Sequence, residues 1–225
     1  MRRIVAIRPE PGLSATLEAG RAAGLEIAGW PLFEYRPRDW QAPDPGQVDG
    51  LLVGSASAIR LAGPRLDRFR DKPVHAVGEA TACAADRAGL RVETVGDAGL
   101  QKLLGRLATR PLRLLRLAGA EHVPLIAPEG IELETRIVYG LDMLPLPPQL
   151  ADLLREGAVV LLHSAAAARH FAAECDRRGV LRAPIALAAL GPRISAAAGS
   201  GWAAVRAAQT PTEAALLALA RDMCH

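Results

Sequence analysis

One pattern, written twice and far apart, limits what this chain can fold into. Asp49 to Arg60 reads DGLLVGSASAIR, and Gly157 to Arg169 reads GAVVLLHSAAAAR. Each is an apolar run, then a serine (Ser55, Ser164), then small residues, then an arginine five places on (Arg60, Arg169). A run this short, with no polar alternation, is a strand buried on both faces, as in a parallel sheet. The serine then falls where a strand ends and a helix begins. In open α/β sheets that edge is where ligands bind.

The likeness extends beyond these stretches. From Pro73 and from Pro184 the chain gives a proline, a short apolar strand and a glycine (Gly78, Gly191). An alanine-rich helix, a second glycine (Gly89, Gly201) and a strand ending near Val92 or Val205 follow. A last helix is expected to be capped by Asp97 in the first copy and by Thr210 in the second. Thr210-Pro211-Thr212-Glu213 reads as a capping box with proline at the first helical position. Gly24-Leu25-Glu26-Ile27 through Tyr35 likewise resembles Gly130-Ile131-Glu132-Leu133 through Tyr139. A period this long is no solenoid repeat; it predicts two similar α/β domains. Two crossings between them are expected, near Arg36 and Asp142, beside the proline-rich stretches RPRDWQAPDPGQ and LPLPP.

The remaining elements follow in order. Ile4 to Ile7 is a buried strand ended by Arg8-Pro9. Leu13 to Ala23 is a helix closed by Gly24. Leu112 to Leu117 is a second apolar strand before Ala118-Gly119, and Ile131 to Tyr139 alternates like a strand with one wet face.

Composition excludes several function classes. The chain has 225 residues, half of them hydrophobic, which suits one large or two small domains. Net charge is +3, which suits an anionic ligand and falls short of a nucleic-acid-binding stripe. Arginine greatly outnumbers lysine; it is the better fork for carboxylates, and a GC-rich genome would give the same bias. Cys83, Cys175 and Cys224 are odd in number and widely spaced, which suits a reduced compartment and inert thiols. No signal peptide and no run of transmembrane length is present, so a cytoplasmic protein without membrane association is expected. His75, His122, His163, His170 and His225 show no metal-ligand spacing, and no metal site is expected. Gly199-Ser200-Gly201 precedes a strand, the reverse of a dinucleotide fingerprint.

Eight weak signals in order carry a family resemblance: IRP at the first strand, PLFEY, LLVGSASAIR, VGEATA, RLLRLAG, VYG after ETRI, LLHSAAAARHF and the terminal PTEAALLALA. Together they resemble uroporphyrinogen-III synthase, across essentially the whole chain. The resemblance implies two α/β domains, one discontinuous (about 1–35 plus 145–225) and one inserted (37–142), joined by a two-stranded linker with a cleft between them. It implies a cyclising lyase that converts hydroxymethylbilane, a linear tetrapyrrole polycarboxylate, to uroporphyrinogen III with no cofactor. A monomer is expected, with transient hand-over from hydroxymethylbilane synthase. The competing reading is a non-enzymatic two-lobed binder of a small anion; the absent signal peptide and regulatory domain count against it.

Candidate site residues follow from both lines. The ends of the buried strands at Arg8, Ser55, Gly78, Gly119, Ser164 and Gly191 all point to one edge of their sheets, where helix N-termini suit carboxylates. Arg193, just past Gly191-Pro192, is a further candidate. Ser55 and Ser164 are equally well read as N-caps alone. Thr81 matches the family's threonine in the G-x-x-T turn, and Tyr139 matches its cleft tyrosine. Tyr139 is read either as a weak general acid to the departing hydroxyl or as an ordinary half-buried strand residue. Arg60 and Arg169 are read as surface charges. The family often carries an arginine before the glycine where this chain has Ala118-Gly119, which removes one carboxylate partner.

Overall fold

The computed structural model describes residues 2–224. Strand β1 (Arg3–Ala6), helix α1 (Gly12–Ala22), β2 (Ile27–Gly29) and β3 (Phe33–Pro37) come first. Then follow β4 (Gly50–Val53), α2 (Ala56–Leu61), β5 (Pro73–Val77), α3 (Glu79–Arg87), β6 (Arg91–Gly96), α4 (Leu100–Leu107), β7 (Leu112–Gly119) and β8 (Ile131–Met143). The chain closes with α5 (Pro148–Arg155), β9 (Ala158–Leu162), α6 (Ala165–Arg177), β10 (Ala186–Ala189), α7 (Pro192–Ala197), β11 (Ala204–Ala207) and α8 (Glu213–Met223). It divides into unit 1, Met1–Glu34 with Asp142–His225, and unit 2, Tyr35–Leu141.

Each unit holds one sheet. Unit 1 has the strand order β11-β10-β9-β1-β2, and all four pairings are parallel. The second sheet runs β3-β8-β7-β4-β5-β6, parallel from β8 to β6. The two orders match when β7-β8 is laid on β1-β2 and β4-β5-β6 on β9-β10-β11. In chain order the first sheet is the doubly wound 2-1-3-4-5 arrangement, and the second is its circular permutation. The first sheet therefore takes β1 and β2 from the first copy of the sequence repeat and β9, β10 and β11 from the second, while the second sheet takes β7 and β8 from the second copy and β3, β4, β5 and β6 from the first.

The strands are buried as their runs predict. All residues of β4, β9 and β10 are buried. In unit 1, Ile4, Ala6, Val159, Leu161, Ala186 and Ala188 face Leu13 of α1 and Leu216, Leu217 and Ala220 of α8. Alternation turns Val5, Val160 and Leu187 to the opposite face, where α6 and α7 contact β9 and β10. In unit 2, one face packs Leu51, Val53, Val74, Leu115 and Leu117 against Ala58 and Ile59 of α2 and Ala82 and Ala85 of α3. The other face packs Leu52 and Leu114 against Leu103 and Leu104 of α4. Unit 1 has α1 between β1 and β2. Unit 2 has no helix between β7 and β8; the irregular segment 120–130 takes that place. Leu125 fastens it to the α4 cluster. The Gln101 amide donates to the Ile126 carbonyl at 2.9 Å and accepts from its N–H at 2.9 Å.

Two expected caps are corrected. Helix α8 begins two residues later than the capping box implies. Thr212 is its N-cap and accepts from the Ala215 N–H at 3.3 Å. Pro211 lies outside the helix, and Glu213 is its first residue, too early to reach back as a box carboxylate. Glu213 is engaged elsewhere, by the cluster described below. Helix α4 is preceded by Gly99, at φ +88, and not by Asp97. The expected alternation in Ile131 to Tyr139 is blurred: positions 133–137 are all half-buried, and the strand runs on to Met143.

Candidate active site

The switch point of each sheet, where strand order reverses, selects two edges. In unit 1 it lies between β1 and β9, and in unit 2 between β7 and β4. Ligands in open α/β sheets bind outside the carboxyl ends of strands at such a point. Larger hollows exist elsewhere: about 470 Å³ beside Arg2, Arg3, Glu26 and Arg221, and about 510 Å³ beside Arg113, Glu132 and Glu134. Both sit at the amino ends of the strands, where helix C-termini carry the negative end of the dipole. The carboxyl edges are therefore the better sites for an anion.

At the unit 1 edge, Arg8 follows β1 and bends back over α1. A Cβ on Gly12 would lie 2.5 Å from Arg8 Nε, so glycine makes room for it. Arg8 Nη1 donates to Thr16 Oγ1 at 3.2 Å and to Glu213 Oε2 at 3.3 Å. Thr16 Oγ1 donates to Glu213 Oε1 at 2.6 Å. His163, directly after β9, brings Nε2 within 3.2 Å of Glu213 Oε2. Its side chain is 8% exposed, and its Nδ1 is buried without a hydrogen-bond partner. Burial, then the charge of Arg8, pushes the His163 pKa below its usual value, against the pull of Glu213. Ser164 turns the other way, as alternation requires, and caps α6 by accepting from the Ala167 N–H at 3.1 Å. Gly191 precedes α7, and Arg193 stands exposed in its first turn.

At the unit 2 edge, Gly54, Ser55, Leu100, Arg116, Ala118, Gly119, Glu121, His122 and Tyr139 are among the residues that surround a pocket of about 140 Å³. Ser55 caps α2 and accepts from the Ser57 N–H at 3.2 Å. Tyr139, on β8, lays its ring on Gly119. A Cβ there would sit 2.6 Å from Tyr139 Cζ and 2.9 Å from its hydroxyl oxygen. The Ala120 N–H donates to the Tyr139 carbonyl at 2.9 Å, and Tyr35 meets the ring edge-on at 5.6 Å. Gly78, at φ +79, opens α3 on the neighbouring strand, and Thr81 is buried in its first turn.

The structure thus gathers Ser55, Gly119 and Tyr139 into one pocket. Gly78 and Thr81 lie one strand away, and Arg8, Ser164, Gly191 and Arg193 belong to the other unit. Arg60 and Arg169 are exposed on helices. Sequence reasoning missed Arg116, Glu213 and the His163 contact. The second arginine of LRLLRLAG, set among leucines past Arg113, was the available signal for Arg116, because a charge inside a buried strand needs a reason. Among the described residues, no cluster of three His, Cys, Asp or Glu side chains is placed to hold a metal ion. No helix there is long and apolar enough to cross a membrane. His225 lies outside the described residues.

Comparison with known proteins gives consistent findings. A family model described as Uroporphyrinogen-III synthase HemD matches residues 14–218. Among solved structures, the chain is similar to uroporphyrinogen-III synthetase from Helicobacter pylori 26695, at TM-score 0.61 and 18% identity, over 99% of this chain and 100% of that one. That likeness shows the fold. A mutant uroporphyrinogen III synthase from the extremely thermophilic bacterium Thermus thermophilus matches at TM-score 0.46 and 16% identity, over 99% of each chain, too loosely to carry an argument. No curated protein matches.

Proposed function

The chain belongs to the uroporphyrinogen-III synthase family, cyclising lyases of tetrapyrrole biosynthesis, and on that premise we propose which of its residues carry the reaction. The reaction closes hydroxymethylbilane to uroporphyrinogen III, with ring D inverted and water lost. The bond between the terminal carbon and its hydroxyl breaks, helped by the electron-rich pyrrole, and the macrocycle closes on that carbon. Tyr139 is assigned as the group that donates a hydrogen bond to the departing hydroxyl, so that it leaves as water. The observation that carries this assignment is the seat of Tyr139 on Gly119, in the lining of the unit 2 edge pocket.

The substrate's carboxylates are assigned to the two carboxyl edges. Unit 2 offers Ser55, Gly78, Thr81 and Gly119; unit 1 offers Arg8, Ser164, Gly191 and Arg193. Backbone N–H groups at helix starts, with a positive dipole end behind them, suit such anions. The acting form is assigned as a monomer. Free hydroxymethylbilane closes spontaneously to isomer I, which favours direct hand-over from hydroxymethylbilane synthase.

The test is the product. The chain is mixed with enzymatically generated hydroxymethylbilane, the products are oxidised, and the porphyrin isomers are separated. Isomer III is expected. A yield of isomer I alone, equal to the reaction without protein, would refute the assignment.

A further inference from the structure

The sheet registers make positions in the two units equivalent. Ala6 pairs with Leu161, three residues before Ser164, and Arg116 pairs with Leu52, three residues before Ser55. Arg116 therefore corresponds to Ala6, and Ala118 to Arg8. Counting back from the two serines, Gly54 corresponds to His163. Counting from the helix starts, Leu100 of α4 corresponds to Glu213 of α8. The unit 1 edge is internally neutralised: Arg8, Thr16 and His163 all meet Glu213. At the unit 2 edge the same places hold Ala118, Gly54 and Leu100, with segment 120–130 where α1 would stand. The Leu100 side chain lies over Gly54, within 2.7 Å of where a Cβ would be.

The guanidinium has not vanished from unit 2; it has moved. Arg116 is two residues before Ala118, so its side chain leaves the strand on the same face. It is 4% exposed, and among the described residues no carboxylate stands within ion-pair distance of it. Nη2 donates to the Val123 carbonyl at 2.9 Å, and Nε is buried with no partner. A buried charge without a counter-ion is among the most costly arrangements in a protein. The arrangement becomes reasonable if an anion from outside completes it.

We propose that the unit 2 edge pocket is a carboxylate subsite, in which Arg116 takes one acetate or propionate group of the tetrapyrrole. The carboxylate binds the guanidinium fork through Nε and one terminal nitrogen, the geometry arginine favours. It replaces the Val123 carbonyl, so segment 120–130 lifts by one hydrogen bond as the substrate enters. Tyr139 and Ser55 line the same pocket, so the anchored side chain places its pyrrole ring beside the reacting group. This rests on the family reaction.

The test compares Arg116→Met and Arg116→Lys with the parent. Met keeps the length and burial and loses the charge; Lys restores the charge without the fork. KM for hydroxymethylbilane is expected to rise about tenfold or more in Arg116→Met, the usual worth of a hydrogen bond to a charged group. Arg116→Lys should recover part of it, and kcat should change little in either. A KM within about twofold of the parent in a folded Arg116→Met protein overturns the proposal. Should Met not fold, the parent decides: its Arg116 Nε–H resonance, labelled with ¹⁵N, is followed as uroporphyrin III is added. A shift supports the subsite, and an unmoved resonance at saturation overturns it. Should the parent form only isomer I, the family reaction fails, and the same resonance still reports on the pocket.

Discussion

Glu213 meets more partners than a first-turn helix residue needs. Its carboxylate accepts from Thr16 and Arg8 and faces His163 Nε2. Replacement by Ala leaves a half-buried guanidinium and a buried imidazole without their shared partner. A loss of about 1–3 kcal/mol in folding stability is expected, measured by urea denaturation near neutral pH. A change below a few tenths would mean that the cluster is incidental. Tyr139→Phe tests a different kind of residue. Removing the hydroxyl keeps the ring, its seat on Gly119 and its contact with Tyr35. General-acid help is typically worth about 10²–10⁴-fold. A smaller loss is expected here, on the order of tenfold to a few hundredfold in kcat, because the hydroxyl leaves readily and water substitutes in part. KM should change less, and isomer III should remain the product, since ring inversion follows how the substrate is held. Full activity in the folded variant would return Tyr139 to plain strand packing.

At the scale of elements, β7 and β8 act as one device, because Gly119 exists where a side chain would collide with Tyr139. Gly119→Ala puts a methyl group 2.6 Å from the ring, and the tyrosine must swing away. The kcat loss is expected to be comparable to that of Tyr139→Phe, and the double variant should be no worse than the poorer single one. Additive losses would show that Gly119 acts by another route. This pairing also marks what the sequence could and could not convey. The strand ends at Ser55, Gly119 and Ser164 were legible, because unbroken apolar runs have one common explanation. The N-cap roles of both serines were legible for the same reason. The placement of Glu213 was not. The Thr-Pro-Thr-Glu pattern satisfies a local capping rule, and a long-range partner in Arg8 overrides it. Arg116 could be noticed but not placed, since Arg113 and Arg116 share a leucine-rich strand and nothing local says which face Arg116 takes until the pairing register is known.

On the scale of the whole molecule, acid is expected to act on both units in two steps. His75 in unit 2 and His163 in unit 1 are each held below the usual 6.5, first by burial. Arg91 and Arg110 face His75 against Glu93; Arg8 faces His163 against Glu213. The unfolded chain therefore takes up these protons first. The stability they contribute is complete above about pH 6.5 and falls as pH drops toward their folded values. Asp49 is lowered to about 2 by Arg113. Glu174 is lowered to about 2 by Arg177 and by the Leu146 N–H, which it accepts at 2.6 Å. Their contribution is present above their ordinary range near 4 and is lost as pH falls toward 2. Denaturation series across roughly pH 8 to 2.5 should show both declines, and the combined His75→Gln and His163→Gln variant should flatten the upper one. A single decline below about pH 4 in the parent would remove the histidines from the account.

The exchange of strands between the two copies of the repeat has a consequence for the growing chain on the ribosome. Strands β1 and β2 emerge first, yet their neighbour β9 begins at Ala158. At the usual rates of synthesis that partner appears on the order of ten seconds later. Residues Tyr35–Leu141, by contrast, hold β4 through β7 and most of β8, and are complete before β9 is made. The inserted unit is thus free to fold during translation, while Ile4, Val5 and Ala6 wait with one edge of their apolar strand unpaired. Once formed, it brings β3 and β8 side by side, which shortens the loop that the amino-terminal segment must close to find β9. The nascent chain is most exposed to misassociation and to chaperones during that interval, and a destabilised unit 2 would prolong it.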